Sequence, residues 1–212
     1  MAKLNVRTGT LSGKVGNLIY SSWCGIPYTR SRPTPNPDYQ PTPAQQAQRL
    51  KFSLATRFCG TLTPLLKQAF LSGNSRSTGQ NRAISHICKH AISGVAPHLE
   101  LAYPRIFISR GELPGAPGAT ATPIANGQVQ FRWISTGDRG YSSNSDKALL
   151  VIYCPALQQS VYNTAGADRR EETATLEAFA FSGHTVHSWL GFLSEDGKLA
   201  ADSVYTGSFI IS

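Results

Sequence analysis

Several residue groups in this chain have the types and spacing that chemistry would need. His86-Ile87-Cys88-Lys89-His90 sets two imidazoles one helical turn apart, a spacing that can hold a metal. A zinc-hydrolase helix would carry glutamate where Ile87 stands, and Cys88 falls on the other helical face, so the pattern reads as part of a solvent-facing basic stripe. Gly9-Thr-Leu-Ser-Gly-Lys-Val has the look of a phosphate-binding loop. That loop would require a glycine where Thr8 stands, and a serine or threonine for magnesium where Val15 stands. No Gly-x-Ser-x-Gly elbow occurs. The acid pairs Glu171-Glu172 and Glu195-Asp196 sit at turn-like positions, and His184 and His187 flank a strand start near Gly183. These readings assign no catalytic residue, no metal ligand and no cofactor, and the expectation is a non-catalytic protein.

Basic residues interleaved with aromatics carry a stronger signal. Lys14, Trp23, Tyr28, Arg30 and Arg32 crowd the N-terminal segment, with Tyr39 beyond. Arginine and lysine neutralise phosphates, and aromatic faces stack on bases or pack against a neighbouring subunit. The plainer alternative is that Trp23 and Tyr28 fill a small core. A second group, Arg82, His86, Lys89 and His90, falls on one face of a helical pattern opposite Ala83, Ile84, Ile87, Cys88, Ala91 and Ile92. Charge is segregated along the chain. Residues 1–102 hold 12 lysines and arginines against two acids, Asp38 and Glu100, whereas residues 103–212 hold 8 against 10, within an overall +8. Such asymmetry points to a polyanion or an acidic protein surface facing the first half. Two partners follow: another copy of the chain, or DNA or RNA.

The elements that must position these residues are legible in part. Residues 1–32 place Val15, Leu18, Ile19, Tyr20, Trp23, Ile26 and Tyr28 among Gly9, Gly13, Gly16 and Gly25, which predicts short strands joined by tight turns. Residues 33–43 carry Pro33, Pro35, Pro37, Pro41 and Pro43 and predict an extended connector. Thr42-Pro43-Ala44-Gln45 is a helix start, followed by Ala47, Leu50, Leu54 and Phe58 at helical spacing, with Phe52 and Cys59 widening the apolar face. Thr63-Pro64 opens a second helix that Gly73 would cap, and a third runs over roughly residues 78–93 to Gly94.

Beyond Tyr103 the pattern changes to short β segments: 105–110, 128–134, 148–153, 173–181, 185–193 and 203–211, with turn-rich Pro114–Gly118 between. Ala148–Tyr153 is a near-continuous apolar run, as in a strand covered on both sides. The spacing of these short strands predicts an immunoglobulin-like sandwich with a buried Trp near the second strand. The missing cysteine bridge favours its fibronectin type III variant. The expected class is therefore α+β, divided into a glycine-rich β arm (1–32), a proline-rich connector (33–43), a basic helical region (44–97) and a β-sandwich (103–212), with a boundary near residues 97–103. Cys24, Cys59, Cys88 and Cys154 are too scattered for a disulfide framework and are expected as reduced, mostly buried thiols. No apolar run spans a bilayer and the N-terminus has no signal-peptide core, so the expected location is cytoplasmic or within an assembled particle or filament.

The motifs Ser12-Gly13-Lys14-Val15-Gly16-Asn17-Leu18, Ser22-Trp23-Cys24-Gly25-Ile26-Pro27-Tyr28-Thr29-Arg30, Thr42-Pro43-Ala44-Gln45 and Arg49-x-Lys51-Phe52 resemble those of a domain-of-unknown-function family of Bacteroidetes proteins. Ser109-Arg110-Gly111-x-Leu113, Asp146-Lys147-Ala148 and Ser203-Val204-Tyr205-x-Gly207 extend the resemblance over nearly the whole chain, with Cys24 a departure where a polar or basic residue is expected. It implies a bacterial or phage origin and brings no activity, cofactor or catalytic residue. With the charge split and the β arm, the expected role is a structural or assembly protein, such as a filament, particle or surface-layer subunit. The arm would make the subunit contacts; the alternative is a nucleic-acid binder acting through the basic half.

Overall fold

The structure, a computed structural model, describes residues 3–5, 10–23, 25–34, 36, 38–71, 77–135, 137 and 140–211. Gly9, Cys24, Pro35, Pro37 and the expected helix cap Gly73 lie outside the described residues. The chain divides into two units, one through Thr42 and one from Pro43.

In the first unit, β1 (Lys3–Asn5), β2 (Thr10–Val15), β3 (Leu18–Trp23) and β4 (Ile26–Ser31) form an antiparallel meander in sequence order. A two-residue turn joins β2 to β3, with Gly16 at φ +57°, where a side chain would be strained. No described side chain from Leu11 to Thr42 is buried. Trp23 and Tyr28 are 57% and 44% exposed, so they do not fill a small core.

The second unit has three layers. Helices α1 (Pro43–Thr61), α2 (Thr63–Ala69) and α3 (Gly79–His90) form the first, followed in the chain by a hairpin of β5 (Ile92–Val95) and β6 (His98–Leu101). The second layer is a four-stranded sheet, β10 (Gln159–Asn163), β9 (Lys147–Cys154), β12 (Thr185–Leu193) and β13 (Val204–Ile210) in that spatial order. The third is a three-stranded sheet, β11 (Thr173–Glu177), β8 (Gln128–Arg132) and β7 (Thr120–Ile124). All neighbours in both sheets are antiparallel.

Strand β9 explains the layering. Its side chains alternate between two cores: Leu149, Val151 and Tyr153 face the helices, while Ala148, Leu150, Ile152 and Cys154 face the other sheet. Both sides need an apolar cover, which is why the run reads as continuous. On the helical side Phe58 sets its ring edge-on to Tyr153 at 4.9 Å and to Trp189 at 5.9 Å. The Trp189 indole N–H donates to the Ile106 carbonyl at 3.0 Å. Leu65, Leu66, Ala69, Phe70, Ala83 and Ile87 complete this core.

The expected boundary near residues 97–103 therefore differs from the observed division at Thr42–Pro43. Helices and sandwich share one core, because a sheet whose two faces are both apolar cannot stand without the helices. Four local readings also change. Residues 105–110 do not form a strand; Tyr103–Arg105 is a 3-10 turn. Within the two packed sheets, strands β7 and β10 were not anticipated. The third helix starts as expected, with the Thr78 hydroxyl accepting from the Asn81 N–H at 3.3 Å, but ends at His90. Residues 92–95 turn into the hairpin instead, where Gly94 has φ +87° and a Cβ would lie 2.2 Å from the His98 carbonyl oxygen. Finally, α1 buries only its C-terminal half; Leu50 and Phe52 are exposed.

Between the sheets lies a buried ion pair. Arg169, with no exposed side-chain surface, donates through Nε to Asp146 at 3.0 Å, and through its terminal nitrogens to the carbonyls of Gly115 (3.0 Å) and Pro114 (2.9 Å). Its guanidinium carbon sits 3.8 Å from the centre of the Phe192 ring, and the Trp133 N–H donates to the Arg169 carbonyl at 2.8 Å. Asp146→Ala strands this cation and is expected to lower the unfolding free energy by about 3–5 kcal/mol in urea titrations. Lys198→Ala, which breaks the exposed pair with Asp196, should leave the urea midpoint nearly unchanged.

Candidate functional site

The residues singled out in the N-terminal segment are gathered by strand register. Lys14 lies opposite Ile19, and Ile19 opposite Arg30; Ser21 lies opposite Tyr28, and Trp23 opposite Ile26. Opposed residues share a face of an antiparallel sheet, so one face of the meander carries Lys14, Ile19, Ser21, Trp23, Ile26, Tyr28 and Arg30. The Arg32 N–H donates to the Asn17 carbonyl at 2.8 Å, which carries the pairing one residue past β4 and puts Arg32 on the same face by alternation. Lys14, Arg30 and Arg32 are all exposed, and no acidic residue occupies any of these positions.

The opposite face has a different chemistry. Val15, Leu18, Tyr20, Ser22, Pro27, Thr29 and Ser31 lie on it, and none is charged. Val15 is 54% and Leu18 43% exposed. The residues of this second face were not singled out from sequence, although the signal was there. In Leu18-Ile19-Tyr20 apolar side chains run consecutively, which on a strand loads both faces.

The helical stripe is not delivered intact. Arg82 is half-buried and its guanidinium donates from Nε to the Phe70 carbonyl at 3.1 Å, next to the C-terminal end of α2. His86 is half-buried, 5.0 Å ring to ring from both Phe107 and His90. Burial holds its pKa below the ordinary value, and the Arg110 and His90 charges push the same way. Lys89 and His90 remain at the surface. Among the described residues no group of three or more His, Cys, Asp or Glu side chains could hold a metal ion.

Of the other candidate groups, Glu171, Glu172, Asp196 and His187 have structural partners. The Glu171 carboxylate accepts from the Asp168 N–H at 3.2 Å, Glu172 from the Ser135 N–H at 2.8 Å, and Asp196 from the Ser194 hydroxyl at 2.7 Å. His187 stacks on Tyr103 at 3.8 Å and shares a hydrogen bond with the Tyr205 hydroxyl at 2.8 Å. Burial lowers its pKa. Burial also raises Tyr103 to about 12, so its hydroxyl stays protonated. Cys59, Cys88 and Cys154 are free thiols, and burial with the neighbouring Cys88 pushes Cys59 up to about 12, far from a reactive thiolate. An open groove of about 700 Å³ runs along α1 beside Arg49, Phe52 and Arg57, and no acidic, histidine or cysteine side chain among the described residues lines it.

The chain belongs to the family described as "Family of unknown function (DUF6266)", which matches residues 10–207. The match begins at β2 and so takes in most of the meander together with the helices and the sandwich. No curated protein and no solved structure matches the chain.

The two lowered imidazoles give the fold a pH dependence. A histidine whose pKa is depressed by folding binds fewer protons folded than unfolded, so stability is full above about 6.5 and falls as the pH drops below it. The urea midpoint should be lower at pH 5 than at pH 7.5. His187→Phe should lose stability at both pH values, through the missing Tyr205 hydrogen bond, but show a smaller difference between them.

Proposed function

We propose that this protein is a non-catalytic structural subunit of a filament, particle or surface layer, and that its N-terminal meander joins copies of the chain. In this reading the sandwich, with its strand orders of three and four, is of fibronectin type III type and serves as a rigid module. The observation that carries the proposal is a four-stranded sheet with no buried described side chain from Leu11 onward and with one uncharged face, on which Val15, Leu18, Tyr20 and Pro27 stand among Ser22, Thr29 and Ser31.

A small sheet needs an apolar face packed against something to be stable. Each large apolar side chain contributes about 1.5–3 kcal/mol when it goes from exposed to fully buried. Two copies of the Val15, Leu18, Tyr20 and Pro27 face pressed together would thus gain on the order of 10 kcal/mol, comparable to the ~4–15 kcal/mol that association costs in lost freedom. The balance predicts a concentration-dependent contact rather than a permanent one. Charge decides which face meets its copy: Lys14, Arg30 and Arg32 on one face would repel their own images, while the uncharged face has no such penalty. The sheet-face contact takes the place of a single extended strand adding to a sheet edge, because the segment is itself folded into a paired meander.

Sedimentation velocity over a concentration series tests this. The full chain is expected to associate. Val15→Asp with Leu18→Asp should hold it monomeric without shifting the thermal midpoint of the sandwich unit. A doubly substituted chain that associates like the parent would remove the proposal.

A further inference from the structure

We propose that the other face of the meander, bearing Lys14, Trp23, Tyr28, Arg30 and Arg32, binds single-stranded nucleic acid. The occupant follows from charge and shape. Three exposed cations share this face with no acidic neighbour, which selects a polyanion. Two exposed aromatic rings, Trp23 and Tyr28, stand beside them, and aromatic rings add affinity for a polyanion that has flat bases to stack.

The register orders these groups in rows. Lys14, Ile19 and Arg30 form one row, Ser21 and Tyr28 the next, and Trp23 and Ile26 the third. Cations therefore lie towards one end and rings towards the other, so a nucleic-acid backbone running along the cation row would set its phosphates on the cations and turn its bases towards the rings. Tyr28 and Trp23 are diagonal cross-strand neighbours on this face, their Cα atoms about 7–8 Å apart. A single strand leaves its bases free to stack on such rings, whereas a duplex keeps them paired and stacked on one another. The face lies on the opposite side of the sheet from the proposed self-contact, so the two functions are separable.

Intrinsic fluorescence reads this site directly. Trp133 and Trp189 are 3% and 0% exposed, against 57% for Trp23, so Trp23 is the indole a ligand can reach. Titrating the full chain with a thymidine oligonucleotide at low salt should quench its emission. The affinity should fall with salt with a log–log slope of about −2, as for three phosphate contacts on a single strand. Lys14→Glu with Arg30→Glu should weaken binding at least tenfold, while Lys14→Arg with Arg30→Lys should restore it, which separates lost charge from a misfolded sheet. Leu18→Asp, on the far face, should still bind, so the outcome is independent of self-association. The proposal is overturned by an absence of quenching at low salt, by quenching that the glutamate pair leaves intact, or by equal affinity for duplex DNA or heparin.

Discussion

The four-stranded sheet of the second unit has two apolar faces, and the rest of that unit follows from covering both. One face takes the three-stranded sheet; the other takes α1, α2 and α3 through Phe58, Leu62, Leu66 and Ile87. A sandwich alone leaves its outer faces to solvent and alternates polar with apolar residues along each strand. Strand β9 does not alternate, and its eight residues are half-buried at Lys147 and buried from Ala148 to Cys154. Helices and strands are in consequence one folding unit, and a boundary drawn at the change from helical to β pattern would cut through a shared core.

The first unit obeys the opposite constraint. Its four strands satisfy each other's main-chain hydrogen bonds but bury no described side chain beyond Leu11. Hydrogen bonding alone gives a sheet little net stability in water, since the unfolded chain makes the same bonds to solvent. What distinguishes this sheet is the sorting of charge by register, with Lys14, Arg30 and Arg32 on one face beside Trp23 and Tyr28, and no charged residue among those from Val15 to Ser31 on the other. The charge of the second half is handled locally. Asp146 is paired with Arg169 inside the protein, and Asp168 is paired with Lys147 and Arg170 at its surface. The Glu171, Glu172 and Asp196 carboxylates hold turns. The segregated charge of the sequence thus becomes exposed cations in the first unit, and in the second acids of which Asp146, Asp168, Glu171, Glu172 and Asp196 are tied into pairs and turns.

Legibility differed between the two candidate surfaces for a physical reason. In the meander, Lys14, Trp23, Tyr28 and Arg30 come from neighbouring strands joined by tight turns, so residues close in sequence are close in space. In the helix, Arg82 and His86 matched a stripe by periodicity, but the periodicity says nothing of what packs against it. Phe70 and Phe107, from other segments, close over that stripe and leave Lys89 and His90 at the surface. Arg169 was not singled out at all, since its partners Asp146, Pro114, Gly115 and Phe192 are remote from it in the chain.

Local pattern by itself determined the class of the protein, the helix starts at Pro43, Thr63 and Thr78, the strand-rich second half, and the segregation of charge, because each depends on residues within a few positions of one another. Tertiary structure decided that the helices and the sandwich share one core, and which cations of the helical stripe face water. These depend on contacts between segments far apart in sequence, which composition and periodicity do not encode.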